Sequence, residues 1–193
     1  CRPLPAPEPP PPAQREPFTV TAFDDVRIES DFDSPTFQRA STTIDVGDGP
    51  FAAVTLVVDL ATTCFPFERW ADDPPPPGHN FPPSCDAFDR NFHFTLDEDD
   101  GVVPFELVRA ITPFGGPLHL EVDITDLMNG RAAAGAGAQT LTAHITTFSD
   151  GAGLVSGSAG GWNVSAHVDV VPGDAPRDVR GAEAVFFGDL THD

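Results

Sequence analysis

The chain has 193 residues, enough for one domain with a sizeable core, and its 30 acidic against 10 basic residues give a formal charge of -20. Such a charge repels nucleic acid and anionic lipid headgroups, so it argues against a DNA- or RNA-binding role. All ten basic residues are arginine and tyrosine is absent, a codon bias without functional content. No run reaches the roughly 18 apolar residues of a membrane-spanning helix.

Residues 1–17, CRPLPAPEPPPPAQREP, form a Pro-rich leader, and the remainder, 18–193, is expected to be one domain. A cysteine start followed by an extended spacer has the pattern of a mature bacterial lipoprotein with lipid on Cys1. Polyproline II, at about 3.1 Å per residue, would hold the domain away from a membrane. FTVTAFDDVRI (Phe18 to Ile28) predicts the first strand, anchored by Phe23 and Val26. FQRASTTIDV (Phe37 to Val46) alternates weakly, and AAVTLVVDLAT (Ala52 to Thr62) is apolar enough for a central strand.

A proline-dense loop follows between Cys64 and Cys85, which stand 21 positions apart. An exported protein would oxidise such a pair. Two free thiols in a cytosolic protein are the alternative, and a metal site is a further one, although neither cysteine has a CxxC partner. RNFHFTLDED (Arg90 to Asp99) alternates clearly, with Phe88, Phe92, Phe94 and Leu96 sharing a face with Arg90. Asp89, Asn91, His93 and Thr95 fall on the other face. An acidic turn leads into VPFELVRAIT. LHLEVDIT then runs into a short helical turn at TDLMNG, and AAAGAGA reads as a flexible connector. QTLTAHITTFSD and WNVSAHVDVVPG flank a Gly/Ser-rich segment, and EAVFFGDL (Glu183 to Leu190) closes the chain. This pattern predicts an all-β fold, an antiparallel β-sandwich of the jelly-roll type with about eight strands.

CDAFDR (Cys85 to Arg90) sets the carboxylate of Asp89 beside the guanidinium of Arg90, the minimum kit for acid–base work and equally an ordinary charge pair. Six histidines raise the question of a metal. His93, His144 and His167 lie on alternating strands, but no HxH or HExxH spacing occurs. The expectation is therefore no metal and no cofactor, with His93 and His144 the candidates should one bind. The turn Asp97, Glu98, Asp99, Asp100 lacks the ligand alternation of a calcium loop and reads as solvated. Trp70, Phe65, Phe67 and Phe81 in the inter-cysteine loop, and Trp162 beyond it, are candidates for stacking on sugar rings or meeting another protein. They could equally form a private core under the loop.

In order and spacing, TAFDDV, VTLVVDLATTC, CDAFDR, RAITPF, LEVDITDL and NVSAHVDVVPGDAP together resemble the N-terminal jelly-roll domain of the peptide-N-glycosidase F family. These enzymes cleave the amide joining a glycan to asparagine. The resemblance covers nearly everything after the leader, and the CD-x-aromatic-DR element is its most specific part. It implies a Cys64–Cys85 disulfide, with a much longer loop between the cysteines here, and puts the family's essential aspartate on Asp89 with Arg90 beside it. A supporting glutamate aligns at or near Thr146, where no carboxylate stands. The family's second jelly roll, which supplies a further glutamate, has no counterpart in these residues. The expectation is an exported, non-catalytic accessory lipoprotein of the outer membrane, periplasm or cell surface. Its partners would be protein subunits of a membrane-associated assembly, or surface glycans. The alternative is a peptide-N-glycosidase-like amidase in which Asp89 is the active carboxylate.

Overall fold

The computed structural model describes residues 15–64, 66–97, 103–148, 157 and 159–173. Among them are eight strands: β1 (Phe18–Glu29), β2 (Arg39–Ile44), β3 (Phe51–Ala61), β4 (Asn91–Leu96), β5 (Phe105–Ile111), β6 (Leu118–Asp123), β7 (Gln139–Ile145) and β8 (Gly161–Pro172). Helix α1 spans Thr125–Ala133, and a 3-10 helix spans Phe67–Ala71. One antiparallel sheet has the order β1-β8-β3-β6 and the other β2-β7-β4-β5. Only β4 and β5 follow one another within a sheet; each other connection crosses between the two layers. That is the connectivity of a jelly roll.

Period-two alternation builds the core. On β8, Trp162, Val164, Ala166, Val168 and Val170 are all buried, while Asn163, Ser165, His167 and Asp169 between them are half-buried. Val54, Leu56, Val58 and Leu60 of β3 add to the same layer. Phe92, Phe94 and Leu96 of β4, with Leu141, Ala143 and Ile145 of β7, form the facing one. Phe23 of β1 meets Phe94 edge to face across the sandwich, with ring centroids 6.3 Å apart. Each buried Val, Leu, Ile or Phe among these stabilises the fold by about 1.5–3 kcal/mol. Trp162 has 0% exposure, so the structure overturns its assignment as a contact residue: it belongs to the core.

Helix α1 closes one end. The Asn129 side chain grips the Phe51 backbone on both sides, accepting from its N–H at 2.8 Å and donating to its carbonyl at 3.0 Å. The helix is longer than the turn expected at TDLMNG, because alanine is the best helix former and carries it to Ala133. Gly135, at φ +77°, then ends it. Thr95, expected on the polar face, is buried at a bulge between Phe94 and Thr95. Cys1, Phe65, Glu98 to Asp100 and Glu183 to Leu190 lie outside the described residues. Among the described residues no helix is long and apolar enough to cross a membrane.

Candidate functional site

At the opposite end from α1, Cys64 and Cys85 form a disulfide between the end of β3 and the approach to β4. The loop after β5 rests directly on it. Gly115 adopts φ +61°, and a side chain there would come within 3.1 Å of the Cys64 Cβ and the Ala87 backbone. Its carbonyl accepts from the buried Thr62 hydroxyl at 2.6 Å. Arg27 of β1 holds the other side, donating through Nη2 to the carbonyls of Ser84 at 3.0 Å and Ala159 at 2.7 Å. The Gly157 amide donates to the Cys85 carbonyl at 2.8 Å. CDAFDR is thereby fixed by β1, by the segment entering β8 and by the loop after β5.

Within that element the charges pair differently from the sequence expectation. Arg90 binds Asp86, not Asp89. Its Nε lies 3.1 and 2.9 Å from the two Asp86 oxygens, and Nη2 lies 2.8 Å from Oδ1. The side chains are 10% and 0% exposed. Nη2 also donates to the Phe148 carbonyl at 3.2 Å, and the guanidinium covers the Phe88 ring at 5.4 Å. The Arg90 amide donates to Thr112 Oγ1 at 2.7 Å. Asp86 is the residue that sequence reading missed. Its burial has no local signature beyond an acid directly after a half-cystine and four positions before an arginine.

Asp89 is exposed, and among the described residues no ion pair or hydrogen bond holds its carboxylate. Thr146, at the position of the supporting glutamate, is exposed and gives its backbone N–H to Asn91 at 2.9 Å. Large apolar side chains stand open at this end: Ile111 at 60% exposure, Phe114 at 67% and Phe148 at 52%. Phe88 and Phe114 pack against each other with centroids 6.5 Å apart.

The outer face of β2-β7-β4-β5 carries a cross-strand row of Arg39, His144, His93 and Arg109. His93 and His144 meet, as their strands allow, with rings stacked at 4.4 Å and 13°. Imidazole lone pairs lie in the ring plane, so rings stacked face to face do not direct both at one ion. Among the described residues no group of three or more His, Cys, Asp or Glu could hold a metal. Arg109 hydrogen-bonds Glu106 at 2.5–3.1 Å and so holds its carboxyl below the ordinary value. Asp97 is tied to Arg131 and accepts from the Thr140 amide at 3.1 Å, which commits it to structure. His167 faces Asp169 on the other sheet, at 3.6 Å.

In the inter-cysteine loop, Phe67 opens the 3-10 helix, and its side chain lies outside the described residues. Trp70 is half-buried; its Nε1 donates to the Cys64 carbonyl at 3.2 Å, and the Phe81 ring packs edge-on at 6.4 Å.

No protein-family model matches the chain, and no curated protein matches it. Solved structures do. Recombinant N-glycanase F (PNGase F) aligns at TM-score 0.56 and 17% identity. A structure of peptide-N-(N-acetyl-β-D-glucosaminyl) asparagine amidase aligns at 0.56 and 18%. PNGase F from Flavobacterium meningosepticum, a glycosylasparaginase, aligns at 0.54 and 19%. This domain is a PNGase F-like jelly roll. Each alignment covers 83% of this chain and 43% of the other, so the chain spans less than half the length of the structures it matches. At these identities the PNGase F likeness carries the fold, and function has to be argued from the site.

Proposed function

We propose that this PNGase F-like domain is an exported, non-catalytic accessory module that makes protein or glycan contacts at the cell surface or in the periplasm. The observation that carries the reading is the state of Asp89. It is exposed, its neighbouring guanidinium is engaged by Asp86, and among the described residues no second carboxylate pairs with it. Amide cleavage by acid–base chemistry calls for paired proton donors and acceptors in a site that excludes water. The open rim of Ile111, Phe114 and Phe148 suits a contact surface better than a reaction chamber. The disulfide supports the exported compartment.

The second reading is a peptide-N-glycosidase-like amidase with Asp89 as its active carboxylate. It takes its support from the exposed position of Asp89 at the mouth of this fold, and it requires a partner carboxylate and a cleft wall from another domain or chain. Incubation of a denatured N-glycoprotein with the parent protein and with Asp89→Ala separates the two. The glycan is expected to stay attached in both reactions. Release by the parent and not by the variant would overturn the non-catalytic reading.

A further inference from the structure

The loop closed by the disulfide contains a cleft of about 340 Å³, in the size range of small-molecule sites. Its walls include Thr63, Arg69, Trp70, Asp72, Asp73 and Ser84. Neither Asp89 nor the apolar rim contributes to it, so it is a separate site, and the ligand assigned to it below rests on the glycan-contact half of the function proposed above.

The polar side of the cleft is built rather than accidental. Ser84 Oγ donates to Asp73 Oδ2 at 2.7 Å and lies 2.7 Å from Thr63 Oγ1, giving a continuous hydroxyl–hydroxyl–carboxylate chain. Thr63 and Ser84 each immediately precede a half-cystine, so the disulfide brings them together. The amides of Asp72 and Asp73 donate to the Arg69 carbonyl at 3.0 and 3.1 Å, which fixes all three residues at the end of the 3-10 helix. Arg27 anchors the Ser84 carbonyl from β1. The apolar side is Trp70, whose indole N–H is engaged by the Cys64 carbonyl and whose ring is braced by Phe81.

We propose that this cleft binds one ring of a neutral oligosaccharide. A sugar presents a C–H face and a rim of hydroxyls. The first suits an indole surface, and the second both donates and accepts, so it suits carboxylates and a guanidinium standing together. An anionic ligand would meet two carboxylates against one arginine, and a divalent cation would meet that arginine. A loop pinned by a cystine and stiffened by prolines loses little freedom on binding.

Fluorescence titration with maltotriose, cellotriose and mannotriose tests this. The chain has two tryptophans, and Trp162 is fully buried, so ligand-dependent emission and protection from acrylamide report Trp70. At least one trisaccharide is expected to saturate with a Kd of about 1 mM or tighter. Calorimetry on Trp70→Ala and Asp73→Asn should show binding weakened by about tenfold or more, with Trp70→Phe partly retaining it. His119→Gln, on the outer face of β6, should leave it unchanged. Asp73→Asn preserves volume and keeps the test informative if Trp70→Ala fails to fold. Three results would overturn the proposal: no saturation by any of the three sugars up to about 10 mM, equal binding by the parent and Asp73→Asn, or tighter binding of glucuronate or calcium than of the neutral sugars.

Discussion

Asp86 and Arg90 are joined by a two-pronged ion pair in which the carboxylate has no exposed surface, four residues apart on a segment that is neither helix nor strand. Removing one member leaves the other buried and uncompensated. Asp86→Ala or Arg90→Ala is therefore expected to cost about 3–5 kcal/mol. Asp89→Ala, at an exposed position, should stay within about 0.5 kcal/mol of the parent. Urea unfolding midpoints of the three variants check this ordering.

The disulfide closes a 21-residue separation. In the chain-entropy account, a loop of this length stabilises by about 3 kcal/mol. A Cys64→Ser, Cys85→Ser double variant should lose about that much by denaturant unfolding. The sandwich should survive, since its core residues on β3, β4, β7 and β8 do not rest on the bond, and far-ultraviolet circular dichroism should be retained.

The two tryptophans should respond unequally to truncation. Trp162→Ala empties a fully buried site and is expected to cost about 3–5 kcal/mol. Trp70→Ala removes a half-buried ring from a loop and should cost clearly less. Thermal unfolding of both variants decides the matter, and comparable losses would mean that Trp70 is itself a core residue.

Two groups give the stability profile opposite slopes with pH. His119 sits above its ordinary value of 6.5, held first by the hydrogen bond to Asp59 and then by that to Glu121. Its contribution is complete below the unfolded value and fades as pH rises through the raised folded value. Asp123 sits below its ordinary 3.8, because the Thr125 hydroxyl and then the Thr125 backbone amide donate to it. Its contribution is present above the unfolded value and is lost as pH falls through the lowered folded value. Asp59→Asn should lower the His119 midpoint, and Thr125→Val should raise that of Asp123, both read by NMR titration.

The strands were legible where the inner face keeps a period-two alternation, clearest in Trp162, Val164, Ala166, Val168 and Val170, and less so at the bulges of β1 and β4. That same alternation already placed Trp162 with the valines, so its assignment as a contact residue set aromatic chemistry above periodicity. The resemblance of the CDAFDR element supplied the cystine correctly. The partner of Arg90 could not be read, since burial of Asp86 depends on the loop after β5 and the segment entering β8, both distant in sequence. The cleft around Trp70 was invisible for a related reason: Thr63 and Ser84 are distant in sequence and are brought together by the bond between the residues that follow them, with Arg27 of β1 anchoring Ser84.

That dependence ties competence to maturation. A chain still in a reducing compartment has every residue of the cleft and no covalent tie holding its two hydroxyl walls together. In the oxidising compartment proposed above, the Cys64–Cys85 bond supplies that tie. On the two proposals together, the cleft would gain its covalent brace only where the thiols are oxidised.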